Sequence, residues 1–228
     1  MTTSVIVGGS RGLGRFIAER FVERGDDVIV TSRSAEQANK VATELGGRAR
    51  GLPLDLSQPT SIANALADIA DVDNLVITAT ASPPNTLRDF SISDAITAVT
   101  VKLVGYTETV RVLHDRLTEN AAVVIFGGVA IDRPYPGSTM VTAHNGGISA
   151  LARTLAIEIA PHRVNAIHPG IVGDSPRWRD LPDHPALSRT PTGRLATMAD
   201  VADATEFLLR NAAINAQDLN LSGGVLAT

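Results

Sequence analysis

The sequence predicts an α/β protein, a doubly wound and mostly parallel sheet in one domain spanning residues 1–228. Three observations predict it. In Ser4-Val5-Ile6-Val7-Gly8-Gly9-Ser10-Arg11-Gly12-Leu13-Gly14, a short apolar run passes into a helical pattern through a turn that holds four glycines. Short apolar runs of the kind that strands buried on both faces require then alternate with segments of helical spacing to the end of the chain. Finally, 228 residues is long for one domain and short for two.

Val5, Ile6 and Val7 form the first strand, and Phe16, Ile17, Ala18, Phe21 and Val22 recur at helical spacing up to Gly25. The loop between them has little side-chain bulk, so its backbone N–H groups and the positive end of the helix dipole can approach a pyrophosphate closely. Gly8, Gly12 and Gly14, with Ser10, Arg11 and Leu13 between them, are spaced GxxxGxG rather than GxGxxG. This longer loop resembles that of the short-chain dehydrogenase/reductase family. Taken alone, it could also be a glycine-rich turn without a ligand; four later stretches agree with the resemblance.

Val28-Ile29-Val30 make a second buried strand, followed by Thr31-Ser32-Arg33-Ser34. A site selective for NAD usually has Asp or Glu here, about 20 residues past the glycines. A carboxylate would repel the 2′-phosphate of NADP, whereas a guanidinium grips it with charge-assisted bonds. Ser32 and Arg33, with Arg11, therefore read as a cluster that selects NADP; the plain alternative is a solvated loop arginine. Asp26 and Asp27 lie at the wrong end of the strand to compete.

Ser34 caps a helix running to Leu45, which Gly46-Gly47 terminate. A third strand ends in Leu52-Pro53-Leu54-Asp55-Leu56-Ser57, and Ser57 reads as the cap of a helix containing Ile62, Leu66 and Ile69. The strand Asn74–Thr78 follows, then a loop at Pro83-Pro84. Ser91 or Ser93 opens a long helix carrying Ile96, Val99, Leu103, Tyr106, Val110 and Leu113. The fifth strand, Ala122–Phe126, ends at Gly127-Gly128, and the loop from Asp132 to Gly137 leads to a second long helix from about Thr139 to Ile159. Arg163–His168 is the sixth strand. The segment at about 174–192, rich in Pro, Arg and His and holding Trp178, is the candidate substrate lid, with Asp174-Ser175-Pro176 placed to cap a lid helix. A last helix runs from Asp200 to Arg210.

The resemblance adds roles to these positions. It implies that Asp55, with Leu56, lies beside the adenine, although a plain strand-end acid explains Asp55 as well. The family commonly has Asn-Asn-Ala-Gly after the fourth strand; here Thr78-Ala79-Thr80 stand, with only Ala79 matching, and support a cofactor path. Arg163-Val164-Asn165-Ala166-Ile167-His168-Pro169-Gly170 strongly resembles the family's RVNxxxPG, which implies that Pro169, Gly170 and Ile171 border the nicotinamide. Asp174 stands where the family often has threonine. Gly193-Arg194-Leu195 and Leu221-Ser222-Gly223-Gly224 extend the resemblance over the whole chain. It implies a Rossmann-type sheet with NADP(H) at the C-terminal edge of the strands. It also implies a homo-oligomer, tetramer or dimer, assembled through the two long helices.

The catalytic residues depart from the family. Its members reduce carbonyls with a Tyr acid, a Lys four residues later on the same helix, a Ser after the fifth strand and an Asn on the preceding helix. Spacing of i to i+4 puts Tyr and Lys on one helix face, where the cation lowers the phenol pKa. Alignment on Leu155-Ala156-Ile157-Glu158 puts Val141 at the Tyr position, Asn145 at the Lys position and Gly128 at the Ser position, with Asn145 retaining a cofactor contact. Val101-Lys102-Leu103-Val104-Gly105 matches the family's V-N-L-x-G, so Lys102 replaces the Asn. Lys102 is the first candidate replacement donor, with a structural lysine bonded to strand carbonyls as the alternative. His144 reaches the same rim, though its position also suits a solvent-facing or interface histidine. Tyr135, with Asp132 on the loop before the helix, is a third candidate that turn and capping roles explain as well.

Zero cysteines exclude a disulfide scaffold and a thiolate nucleophile and fit a reducing cytoplasm; the five histidines form no metal-ligand pattern. A net charge of −4 gives no footprint for nucleic acid or an anionic membrane, so a small molecule is the expected partner. Met1-Thr2-Thr3 lead straight into a strand, without room for a secretory leader, and no apolar run approaches the roughly 20 residues that span a bilayer. Three functions fit this pattern: an NADPH-dependent reductase with a different proton source, a lyase or isomerase that keeps the nucleotide structurally, and a non-catalytic NADP(H)-binding sensor or partner subunit.

Overall fold

Strands and helices alternate as the apolar runs predict in the computed structural model, which describes residues 1–81 and 85–228. The elements are β1 (Thr3–Val7), α1 (Gly12–Glu23), β2 (Asp27–Ser32), α2 (Ala35–Leu45), β3 (Arg50–Pro53), α3 (Ile62–Ala65), β4 (Val72–Ile77), α4 (Ile92–Val99) and α5 (Gly105–Leu113). They continue with β5 (Leu117–Phe126), α6 (Thr139–Glu158), β6 (Arg163–Pro169), α7 (Met198–Arg210) and β7 (Asp218–Leu221). The Pro83-Pro84 loop lies outside the described residues.

All seven strands are parallel, in the order β3-β2-β1-β4-β5-β6-β7. The order reverses between β1 and β4, so a crevice opens there at the C-terminal ends of the strands, the place where doubly wound sheets bind ligands. Alternate residues of each central strand feed two cores. Val5, Val7, Leu75, Ile77, Val123 and Ile125 pack with Tyr106, Val110, Ile148 and Leu155 on one face. Ile6, Val30, Val76, Val124 and Phe126 pack with Ile17, Phe21, Val201 and Leu208 on the other. Burial on both faces is why these strands read as continuous apolar runs.

Four details depart from the expectations. Ser57 caps no helix: its hydroxyl donates to Asp55 Oδ1 at 2.7 Å, and a 3₁₀ turn at Pro59–Ser61 precedes α3. Leu66 and Ile69 lie beyond α3, in tight turns closed by Ala67 N to Asn64 O and Ile69 N to Leu66 O, which still place both side chains in the core. Asp174 opens no lid helix; its carboxylate accepts from Met198 N at 2.8 Å, satisfying an orphan N–H in the first turn of α7. The lid segment is built of turns with a 3₁₀ turn at Leu187–Arg189. The seventh strand, Asp-Leu-Asn-Leu, is too short and polar to stand out in the sequence.

The first long helix is continuous but not uniform. Between α4 and α5 the chain makes a π-helical turn, Thr100–Val104, whose extra residue turns both Val101 and Lys102 inward. Ser91 caps the helix, accepting from Asp94 N.

Candidate functional site

Close packing at the strand ends shapes the glycine turn. Gly8 has φ +84°, a left-handed conformation, and its N–H donates to Thr31 Oγ1 at 3.2 Å. A Cβ on Gly8 would lie 2.8 Å from the Ala79 backbone, and one on Gly14 only 2.4 Å from Gly8 O and 2.5 Å from Thr78 Oγ1. Gly12, also left-handed at φ +54°, has among the described residues only Pro176 Cδ near its missing Cβ, at 3.9 Å. Arg11 is the N-cap of α1 and supplies no side-chain cap, nor does any acid stand in the first turn. The turn is thus a tight cradle under a helix N-terminus, and it fits a dinucleotide pyrophosphate.

The other predicted binding residues gather along the same edge. Ser32 ends β2, and Arg33 after it is exposed, as is Arg11; neither arginine forms an ion pair among the described residues. Asp55 Oδ1 is engaged by the Ser57 N–H and hydroxyl, while the Leu56 side chain is buried against Gly105. Thr78, Ala79 and Thr80 follow β4; the Thr78 hydroxyl donates to Val7 O at 3.2 Å, tying the end of β4 to that of β1. Pro169 ends β6, and Gly170 N donates to Leu221 O at 2.8 Å, with Ile171 next to it and half-buried. The segment read from sequence as a candidate lid begins beside the glycine turn, through Pro176, and holds Trp178 between Arg177, 4.8 Å over its ring, and His184, edge-on at 4.7 Å.

At the catalytic end, Asn145 Nδ2 donates to Gly128 O at 3.3 Å, and a Cβ on Gly128 would meet that nitrogen at 3.0 Å. Gly128 and Asn145, which the sequence alignment sets at the family's Ser and Lys positions, are therefore in contact, and Val141 stands one turn earlier on α6, half-buried. Leu103 packs against Gly147, which seats the π turn on α6. Lys102 is buried, and burial lowers its amine from 10.5 to about 7. Its Nζ lies 3.2 Å from the Tyr106 hydroxyl, which donates in turn to Ala79 O at 2.8 Å. Burial raises the Tyr106 phenol far above its usual range, so it stays protonated.

Two expectations are corrected here. His144 is neither solvent-facing nor at the surface of the protomer: it is 2% exposed, and burial, with the nearby charge of Lys102, lowers its pKa to about 4. Helix α6 is flanked here by the π turn, so its inner face extends to His144. Among the described residues Lys102 takes no strand carbonyl; it is held by Tyr106, whose hydroxyl donates to Ala79 O just past β4. Tyr135 is 55% exposed, and its backbone forms a turn with Ser138, as the turn role predicts, so it stays apart from this cluster.

Two residues escaped the sequence reading. Tyr106 is four residues from Lys102, a spacing that puts both on one helix face, yet it also fits the apolar periodicity of a core aromatic. His168 is 1% exposed; its Nδ1 accepts from Gly128 N at 3.1 Å, and its Nε2 lies 3.0 Å from Asp218 Oδ1 and 3.2 Å from Ser149 Oγ. Because Ser149 and Asp218 share one ring nitrogen, this is not the relay of a serine nucleophile, where acid and base act through opposite nitrogens.

A parallel doubly wound sheet with a glycine cradle at its switch point defines a dinucleotide-binding protein. The family model described as enoyl-(acyl carrier protein) reductase matches residues 7–226. The chain is 28% identical over 231 residues to a 3-oxoacyl-[acyl-carrier-protein] reductase of Bos taurus, covering 98% of this chain and 97% of that one. Among solved structures it is similar to a short chain dehydrogenase/reductase family protein, with a TM-score of 0.88, 26% identity and coverage of 100% and 98%. A 3-ketoacyl-(acyl-carrier-protein) reductase from Brucella melitensis, complexed with NADH, gives a TM-score of 0.87, 26% identity and coverage of 99% and 98%. The chain belongs to the short-chain dehydrogenase/reductase family, whose oxidoreductases bind a nicotinamide cofactor. Among the described residues no helix is long and apolar enough to cross a membrane.

Proposed function

We propose that the protein is an NADP(H)-dependent oxidoreductase of a small molecule in the cytoplasm, with Lys102 replacing the hydroxyl donors of the family's Ser and Tyr. The observation that carries this reading is the buried Lys102 amine, lowered to about 7, on a helix packed against the one that bears Val141 and Asn145. An acid is most useful when its pKa lies near the working pH.

In this reading Gly8, Ser10, Arg11, Gly12, Leu13 and Gly14 hold the pyrophosphate. Ser32 and Arg33, with Arg11, hold the 2′-phosphate, and Asp55 and Leu56 border the adenine. Thr78, Ala79 and Thr80 line the path to a nicotinamide site bordered by Asn145, Pro169, Gly170 and Ile171. NADPH, when bound, supplies the hydride. Lys102 delivers a proton to the substrate atom that gains negative charge, and Tyr106 takes one of its N–H groups and aims the rest. His144 stays neutral at physiological pH and competes for no proton. Residues 174–192 close over the substrate.

The names of the relatives point to acyl carbonyls. Val141 and Gly128 offer no hydroxyl to an unactivated ketone, so this reading favours acceptors that are already polarised, such as an imine, a conjugated double bond or a strained carbonyl. The same missing hydroxyls are what favour the second reading, a nucleotide-binding protein without redox turnover. The test is a panel of these acceptors and 3-oxoacyl thioesters, followed by nicotinamide absorbance, with calorimetry of NADPH binding alongside. Stoichiometric NADPH oxidation that Lys102→Met abolishes supports the first reading. Tight NADPH binding without oxidation on any acceptor supports the second. Ketone reduction at rates that Lys102→Met leaves intact overturns the role of Lys102.

A further inference from the structure

The Gly127-Gly128 turn stands where the family's serine would hold a substrate oxygen, yet its backbone is already committed. Gly128 N donates to His168 Nδ1 at 3.1 Å, and Gly128 O accepts from Asn145 Nδ2 at 3.3 Å. A peptide N–H can only donate, so Nδ1 must be bare and the ring proton must sit on Nε2. There Asp218 Oδ1 accepts it at 3.0 Å, with the Ser149 hydroxyl 3.2 Å from the same nitrogen. Arg153 binds the other carboxylate oxygen of Asp218. The charged groups joined to the imidazole are thus Asp218 on β7 and, behind it, Arg153 on α6. The ring lies so close beneath the turn that a Cβ on Gly127 would come within 2.3 Å of Nδ1.

We infer that His168 is the positioning residue of this turn. Asp218 fixes the Nε2–H tautomer, the bare Nδ1 holds the Gly128 N–H, and the Gly128 carbonyl then aligns Asn145. The same bonds withdraw the Gly128 N–H from any substrate oxygen, so the turn shapes the site without stabilising an oxyanion, and proton delivery is left to other groups. This inference rests on the reading of Gly128 as standing at the family's Ser position beside Asn145, but its test does not depend on that reading.

The test is NMR on the full chain labelled with ¹⁵N, with and without saturating NADPH. The expected result is a His168 with protonated Nε2 and bare Nδ1, and a nitrogen–nitrogen coupling across the hydrogen bond to the Gly128 amide. His168→Ala should speed hydrogen exchange of the Gly128 amide at least tenfold. His168→Asn, whose Oδ1 takes the place of Nδ1, should restore most of the protection. Global stability measured on each variant separates loss of the bond from unfolding. A His168 protonated on Nδ1 at neutral pH, or equal Gly128 exchange in folded wild type and His168→Ala, overturns the inference. Failure of NADPH to bind in calorimetry counts against the cofactor reading and leaves the assignment of His168 standing.

Discussion

Desolvation holds the Lys102 amine near 7 in the folded chain, while a lysine of the unfolded chain titrates near 10.5, so between these values the unfolded state carries a proton that the folded state lacks. Stability then rises with pH through that window, because the unfolded state binds more protons there. Below about 7 both states are protonated, and the cost of the buried charge is felt in full. Lys102→Met removes the titration and keeps the length of the side chain. The expected outcome is a denaturation midpoint that rises from about pH 7 to about pH 10 in the wild type, by an amount that Lys102→Met abolishes, with the variant the more stable of the two at neutral pH. An equal pH dependence in both proteins would place the amine in water. A second outcome at this scale concerns Arg33. Loss of one charge-assisted phosphate contact costs about 1.5–3 kcal/mol. Arg33→Ala should therefore weaken NADPH by that much in calorimetry while leaving NADH nearly unchanged, and an equal loss for both nucleotides would remove Arg33 from the 2′-phosphate. The exposed place of Arg33 just after β2 could be read from the residue type and its position after an apolar run. Lys102 could be picked out as a candidate donor from its place in the family segment, but its burial, the π turn and the hydroxyl four residues away could not.

Where the chain's local signals agree with its packing, the elements follow the sequence closely. The first strand, the glycine turn and α1 are legible because the glycines answer steric needs: a Cβ on Gly14 would lie 2.4 Å from Gly8 O and 2.5 Å from Thr78 Oγ1, so only glycine lets α1 start this close to the strand ends. Gly14→Ala puts a methyl group into backbone, which cannot give way as a flexible side chain does. The expected outcome is a loss of roughly 1–3 kcal/mol in chemical denaturation, together with weaker NADPH and NADH alike, since the shift opens the cradle and not the 2′-phosphate end. Unchanged affinity for both nucleotides would mean that the turn does not hold the pyrophosphate. Other elements were hidden for physical reasons. Leu66 and Ile69 keep a helical spacing that tight turns satisfy equally well. The π turn adds one residue to a helix whose apolar pattern tolerates the shift, since Val101 and Lys102 both turn inward. Strand β7 is held by its neighbour β6 and not by its own four residues. His168 read as part of a family segment, although its partners Gly128, Ser149 and Asp218 come from three separate parts of the chain.

At the scale of the whole molecule, the two helical segments that carry the candidate catalytic residues also carry apolar side chains on the outside. Ile92 is 69% exposed and Ile96 61%, one turn apart on α4, and Val104 is exposed where the π turn meets α5. Ile157, 79% exposed, stands near the end of α6. A lone exposed aliphatic residue needs no explanation, but several on helices that already cover one sheet face exceed what the protomer core requires. We propose that these helices meet their counterparts in a second copy, giving a homodimer or homotetramer, the assembly expected from the two long helices of the sequence. A closed symmetric assembly presents the same patch on each partner, so one charge introduced per protomer enters the interface at least twice. The pair Ile96→Asp with Ile157→Asp lies on the outer surface, away from either core, and should leave the protomer folded. The expected outcome in light scattering is a wild-type mass of two or four times 23.9 kDa at micromolar concentration and 23.9 kDa for the double variant. The wild type should also melt at a temperature that rises with protein concentration, and the variant should not. A wild-type mass of 23.9 kDa would remove the assembly. It would leave Lys102 and His144 positioned by the packing of the π turn on α6 within a single protomer.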